Sequence, residues 1–222
     1  MPSLTSVKSL EWQVLPVIDS VTLGPITEAD SVQISDTFLQ TLDGIDLHTV
    51  DTMLIDNNKR LTEFESQLGN LSTLLTINAN GINLKVNLPN LIWINEMKIS
   101  NVTEFLTPSL VAVNKSAHFD SNYFEEYSAP NLTSIKNDIS FVGNSALANI
   151  SFPLLQTLGG GLQIANNTAV TRNEDNQLTA LKVVDGFPKL RGIGGAVKLT
   201  GNFTEYVSCD RSIYKCVLTV TI

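Results

Sequence analysis

The chain has 222 residues, 43% of them hydrophobic, and its 22 acidic and 14 basic residues give a formal net charge of -8 and a pI near 4.7. This length suits either one sizeable domain or an elongated array of repeats. Because the net charge is negative and no stretch concentrates Lys and Arg, we expect no nucleic-acid partner.

Membrane and export signals are not visible in the sequence. No uninterrupted apolar run approaches the roughly 18 residues that a membrane-spanning helix needs. The first residues, Met1 to Thr5, lack the basic and apolar regions of a signal peptide. We therefore expect neither a transmembrane segment nor an export signal within this sequence.

A short phrase, Pro-x-apolar-x-x-apolar, recurs along most of the chain. Its copies begin, in chain order, at Pro2, Pro16, Pro89, Pro108, Pro130, Pro153 and Pro188. The segments 47–50 and 71–74 continue the phrase without its proline. Self-similarity of this kind is typical of repeat proteins, so we interpret each copy as part of one structural repeat.

A second phrase, an apolar residue followed by Asn three places later, comes after the first. Its asparagines are Asn58, Asn80, Asn101, Asn122, Asn144, Asn167 and Asn202. Asn101 comes one residue early, and Thr37 stands where an earlier copy should have its Asn. The period is about 22 residues. It stretches before Asn202, where the polar segment Thr171–Gln177 predicts a surface loop inserted into one coil.

The repeat length predicts the fold class. About 22 residues cannot hold the two packed helices of a typical helical repeat, which needs about 33 or more. They can hold short strands rich in Ile, Val, Leu and Phe, separated by turns with Pro, Gly and Asn. The sequence therefore predicts an all-β, right-handed parallel β-helix, or β-solenoid, whose coils stack about 4.8 Å apart.

The recurring asparagines have a structural role in such a fold. An inward-pointing turn amide that stacks on its equivalent in the next coil can satisfy backbone groups that water does not reach. We therefore expect all seven asparagines to form a buried ladder. Two of them, Asn101 and Asn202, also lie in Asn-x-Ser/Thr sequons, and we expect both to be poorly glycosylated.

Seven sequons occur in total, about twice the number that chance would give, which favours a glycosylated and exported origin. Five of them lie outside the predicted ladder. These N-glycosylation candidates are Asn70, Asn114, Asn131, Asn149 and Asn166.

No group of residues in the sequence forms a catalytic constellation. His48 and His118 lie several repeats apart, so we expect structural or surface roles for them. Glu125 and Glu126 are adjacent, and on a strand they would point to opposite faces. The carboxylates Asp46, Asp51 and Asp56 surround a ladder position, where turn capping and surface charge explain them. We expect no enzymatic activity.

The other candidate sites have structural explanations as well. Gly159–Gly161 and Gly194–Gly195 fall at the same point of successive repeats, which makes them repeat turns rather than a phosphate-binding loop. Cys209 and Cys216 lack the second pair or the nearby His that a zinc site needs. Trp12 and Trp93 lie in strand-like segments and are expected to pack in the core or at its rim rather than to stack on carbohydrate, although an exposed Trp93 would reopen that question. No cofactor or metal is predicted.

Several segments are distinctive enough to suggest a family. They are Asn90–Trp93, Ser128–Thr133, Gly159–Thr168, Asp185–Leu190, Gly194–Val197 and Gly201–Thr204. With them the chain resembles, from Pro2 to Glu205, the fungal GPI-anchored cell-wall organisation proteins, whose repeats form a receptor-L-domain-like, leucine-rich solenoid. The resemblance implies a glycoprotein of the plasma membrane or wall that supports wall integrity and has no enzymatic activity.

The sequence also departs from that family. The family's signal peptide, cysteine-containing N-terminal cap, Ser-rich stalk and GPI signal are not found in this chain, although the resemblance implies an anchor. The predicted organisation is a solenoid over residues 1–205 and a divergent tail over 206–222. We interpret the tail as a candidate translated intron, because codons for Glu205-Tyr206-Val207 can spell a splice donor. Both cysteines would then be accidental.

Two other functions stay open at this point. A receptor-like domain could bind a wall polysaccharide or a wall protein on one strand face, and an aromatic or sequon-free patch would favour it. A polysaccharide-acting β-helix enzyme would need several carboxylates grouped on adjacent coils.

Overall fold

The structure is a computed structural model that describes residues 3–21, 26–43, 45–167, 171–172, 178–179 and 186–201. Within these ranges every regular element is a β-strand. Most of the strands pair in parallel with the equivalent strand of the next coil. Register partners such as Ser9 and Ser31, or Ala117 and Ile139, lie 22 residues apart. The predicted all-β solenoid with a period of about 22 residues is confirmed.

Twenty-two strands build the described part of the chain. They are β1 (Ser9–Leu15), β2 (Ile26–Glu28), β3 (Ser31–Thr37), β4 (Ile45–Asp56), β5 (Glu63–Glu65), β6 (Asn70–Asn78), β7 (Lys85–Asn87), β8 (Trp93–Ile94), β9 (Met97–Ser100), β10 (Glu104–Leu106), β11 (Ala112–Val113), β12 (Ala117–Asp120), β13 (Glu126–Ser128), β14 (Ser134–Ile135), β15 (Ile139–Val142), β16 (Asn149–Ser151), β17 (Thr157–Leu158), β18 (Leu162–Ala165), β19 (Thr171–Arg172), β20 (Leu178–Thr179), β21 (Gly192–Ile193) and β22 (Val197–Thr200).

The central coils contribute strands to three faces. Face A holds the short strands that end the Pro phrase, β8, β11, β14, β17 and β21. Face B holds the strands that lead into the Asn turn, β9, β12, β15, β18 and β22, together with β1 and β3. Face C holds β5, β7 and β10, followed by β13 and β16. The long strands β4 and β6 run through both face A and face B.

The core is a set of stacked apolar columns. On face B the strands bury alternate residues, so that Ile99, Phe119, Phe141, Ile164 and Leu199 lie in register on successive coils. The leucines of the Pro phrase occupy a second column. Leu132 and Leu155 are fully buried and Leu190 packs against the same core, and each donates its backbone N–H to the carbonyl three residues earlier.

Aromatic side chains fill the centre of the prism. The rings of Phe119 and Phe141 stack with centroids 4.7 Å apart and an interplanar angle of 8°. Tyr127 packs against both rings, and its hydroxyl shares a 2.9 Å hydrogen bond with Thr107 Oγ1. Burial raises the pKa of Tyr127 well above its ordinary value, and the bond to Thr107 offsets this only in part.

The glycine clusters lie in the corner between face A and face B, as the repeat predicts. Gly194 stacks on Gly159, and the N–H of Gly195 bonds to the carbonyl of Gly160 at 2.8 Å. A Cβ at Gly159 would collide with the backbone carbonyl of Lys136. These glycines are therefore required by the close approach of neighbouring coils. The predicted loop after Asn167 begins and ends in the antiparallel pair β19 and β20, and its centre lies outside the described residues.

A column of left-handed residues runs along the corner where face B ends. The residues with positive φ are Val14, Asp36, Asn57, Ala79, Asn101, Ser121, Gly143, Asn166 and Gly201. Each stands one position before the place of an Asn in the repeat, so every coil turns in the same way. The left-handed conformation costs a residue with a Cβ about 1–2 kcal/mol, and most coils carry that cost.

Replacing Gly143 by Ala tests this turn. The nearest atom to an added Cβ is Ser121 Oγ at 3.6 Å, so space is not limiting and the φ of +67° alone causes the strain. We expect the free energy of unfolding to fall by about 1 kcal/mol. The control is Gly192→Ala, where φ is not positive and an added Cβ meets nothing within 4 Å. If Gly143→Ala and Gly192→Ala unfold at the same denaturant concentration, the positive φ at residue 143 does not cause the expected strain.

Candidate functional site

The buried polar feature of the structure is a ladder of asparagines beneath the corner of face B. Asn144 shows its geometry. Its Nδ2 donates to Asn167 Oδ1 and to the backbone carbonyl of Phe119, both at 2.9 Å. Its Oδ1 accepts the backbone N–H and the Nδ2 of Asn122, again at 2.9 Å. Both amide donors are used and the oxygen accepts twice, so the buried side chain is fully satisfied.

The same arrangement recurs on the N-terminal coils. Asn58 donates to Asn80 Oδ1 and to the carbonyl of Ile34, and Asn80 donates to the carbonyl of Ile55. Thr37 takes the place of an asparagine, since its hydroxyl and its backbone N–H both donate to Asn58 Oδ1, at 2.6 and 3.1 Å. The coils of Thr37, Asn58 and Asn80 are thus tied together by side-chain as well as backbone hydrogen bonds.

Asn101 does not take the ladder position that the sequence predicts for it. Val102 occupies that position, fully buried, and its backbone N–H donates to Asn122 Oδ1 at 3.2 Å. Asn101 comes one residue early and therefore falls on the left-handed turn residue, with φ of 61°. There it is half-buried, and its Oδ1 accepts the N–H of Ala79 at 3.1 Å. The ladder is interrupted at this coil. Asn202 lies outside the described residues.

The glycosylation candidates lie on the outside of the solenoid. Asn114, Asn131, Asn149 and Asn166 are exposed and Asn70 is half-buried. They are distributed over the corners, face A and face C. Among the described residues, no sequon asparagine lies within a strand segment that pairs on face B, because Asn70 belongs to the part of β6 that pairs on face A. Occupancy of these sites stays a prediction.

Face B carries a shallow groove that the sequence did not reveal. Outward side chains of three neighbouring coils line a volume of about 320 Å³. The lining residues are Thr76, Asn78, Lys98, Ser100, His118 and Asp120. They lie together because equivalent strand positions stack, although they are about 22 residues apart in sequence.

The charged groups of the groove are held in place by neighbours. His118 Nδ1 shares a 2.8 Å hydrogen bond with Ser140 Oγ, and Lys98 Nζ lies 3.1 Å from Glu96 Oε1. Partial burial raises the pKa of the Asp120 carboxyl, and the charge of His118 lowers it to a lesser extent. The groove thus offers hydroxyl, amide, imidazole, ammonium and carboxylate groups on one face.

The remaining histidine and glutamate candidates of the sequence are dispersed. His48 is exposed in a different coil from His118, and Glu125 and Glu126 are both exposed at the edge of face C. A second groove of about 380 Å³ is lined by Asp43, Asp46, Glu63 and Glu65, among others.

In the described part of the chain, no three His, Cys, Asp or Glu side chains are grouped so that they could hold a metal ion. The same residues include no helix with the length and apolar character needed to cross a membrane. The tail with Cys209 and Cys216 lies outside the described residues, as does the predicted boundary at residue 205.

Comparison with known proteins gives a consistent set of relatives. A cell surface GPI-anchored protein of Arthroderma benhamiae is 38% identical over 179 residues, which covers 80% of this chain and 43% of the relative. Protein ecm33 of Aspergillus fumigatus is 37% identical over 97% of this chain and 59% of its own length. Sporulation-specific protein 2 of Saccharomyces cerevisiae is 33% identical over 92% of this chain and 39% of its own length.

The chain therefore spans between 39% and 59% of the lengths of these three relatives. No family model matches the chain. No solved structure matches it either.

Proposed function

The chain belongs to the fungal family of GPI-anchored cell-surface and cell-wall proteins, and from that premise we propose that it is a non-catalytic module that supports wall organisation and integrity. Several of its relatives are named as proteins of the cell surface or cell wall, which supports the same location for this protein. The non-catalytic role and the wall components that it contacts are our proposal.

The observation that carries this proposal is that the buried polar side chains hold the coils together. The inward asparagines are consumed by coil-to-coil hydrogen bonds, so their side chains are not available to a ligand. A glycosidase needs two carboxylates about 5–9.5 Å apart across a sugar. The face B groove holds one carboxylate, Asp120. The second groove holds four, Asp43, Asp46, Glu63 and Glu65, so a catalytic alternative would have to use that groove. A rigid prism with long flat faces suits a scaffold better than an active site.

A complementation assay tests the wall role. A fungal strain that lacks the gene should become sensitive to a wall-binding dye, and the full parent gene should restore resistance. Phe141→Asp places a charge in a fully buried site and should fail to restore it. Tyr123→Asp changes a side chain that is 44% exposed and should restore it. A deletion strain as resistant as its parent would refute the wall role. Release of sugars from wall polysaccharide by the purified protein would refute the absence of catalysis.

A second candidate function is supported by face B. A face that carries no sequon asparagine in its described strand segments is open to a ligand. The groove around Asp120 and His118 offers both donors and acceptors. Sugar hydroxyls can pair with all of these groups. The chain would then be a receptor-like domain that binds a wall polysaccharide.

Binding to purified alkali-insoluble wall polysaccharide tests this second function. Asp120→Ala should weaken binding about ten-fold, because a hydrogen bond to a charged group is worth about 1.5 kcal/mol. The matched control is Glu126→Ala, which removes an exposed carboxylate from face C and should leave binding unchanged. Equal binding by both variants and the parent would exclude the groove as the binding site.

A further inference from the structure

Face A exposes an apolar patch on two neighbouring coils. Ile92 is 51% exposed and Val111 is 39% exposed, and the N–H of Val111 donates to the carbonyl of Ile92 at 2.7 Å. The next residue in each coil, Trp93 or Ala112, is half-buried, and these two are register partners. We call these four residues the Trp93 patch. Contiguous exposed apolar surface of this kind generally has a covering partner.

A sequon borders the patch on the adjacent strand. Asn70 of β6 is the register partner of Trp93 of β8. The residues after them, Leu71 and Ile94, are fully buried, so Asn70 and Trp93 both lie on the outward side of the sheet. Neighbouring strands are about 4.8 Å apart. A sugar attached to Asn70 Nδ2 would therefore begin within one residue's width of the indole.

The Asn70 amide is available for this linkage. Its side chain makes no hydrogen bond within the ranges that the structure describes. By comparison, Asn131 Nδ2 donates to the carbonyl of Pro108 at 2.8 Å. The carbon-bound hydrogens of a pyranose ring form an apolar face, which can pack on the electron-rich face of an indole. The acetamido methyl of the first sugar can lie on Ile92 in the same way.

We propose that the N-glycan on Asn70 lies along face A and covers the Trp93 patch, so that its first sugars pack on Trp93. The glycan would act as part of the fold rather than as a freely extended chain. It would keep Ile92 and Val111 from binding other proteins or a second copy of this chain. This inference relies on the export of the protein to the cell surface, but not on its wall-organising role.

The test uses the full chain secreted from a fungal host in a Trp12→Phe background, which leaves Trp93 as the single tryptophan. Glycopeptide mapping should find Asn70 occupied. Removing the sequon by Asn70→Gln should increase acrylamide quenching of Trp93 fluorescence about two-fold, because one face of the indole loses its cover. Asn149→Gln removes a sequon from face C and should leave the quenching unchanged.

A second variant separates the loss of the glycan from the loss of the Asn70 side chain. Ser72→Ala abolishes the same sequon while Asn70 stays in place, and it should increase quenching as much as Asn70→Gln does. An empty Asn70 in the secreted protein, or equal quenching in parent and Asn70→Gln, would overturn the inference. Protection of Trp93 by a dimer that persists in Asn70→Gln would overturn it as well. The deletion phenotype is independent of these outcomes, so the wall role is tested separately.

Discussion

Hydrogen bonds between buried asparagine side chains hold neighbouring coils of this solenoid in register. A buried amide that lost its partners would leave donors and acceptors without water, at about 1–3 kcal/mol for each group. Asn122, Asn144 and Asn167 avoid this cost only if each coil sits directly over the previous one. The same registry stacks Phe119 on Phe141 and brings the leucines of the Pro phrase into one column. The flat outer faces follow from it.

Those faces differ in ways that bear on function at the cell surface. Face A combines an apolar patch with a sequon on the adjacent strand, which favours a covered surface. Face B has a polar groove and no sequon asparagine in its described strand segments, which favours an open surface. Because successive coils repeat the same strand positions, a feature built from single residues of several coils becomes a continuous strip. A wall module can thus carry different surfaces on one rigid prism.

The repeat could be predicted from the sequence because the spacing of Pro, Leu and Asn is visible without any structure. Three other features could not be predicted from the sequence. Asn101 misses the ladder because a one-residue offset moves it onto the left-handed turn, where Val102 replaces it in the core. The left-handed turn has no sequence signature, because residues as different as Val14 and Ala79 adopt it. The face B groove joins Asp120 to Lys98 across coils, and no local motif records that proximity. Sequence periodicity predicts columns, but not which outward positions act together.

The most direct test of coil registry is the stability of Asn144→Ala, compared with Asn137→Ala by denaturant unfolding. Asn144 is buried and makes four side-chain hydrogen bonds, to Asn122, Asn167 and the carbonyl of Phe119, whereas Asn137 is exposed. Loss of these bonds should lower the free energy of unfolding by about 3 kcal/mol or more, and Asn137→Ala should change it by less than about 0.5 kcal/mol. If both variants unfold at the midpoint of the parent, the ladder does not hold the coils together.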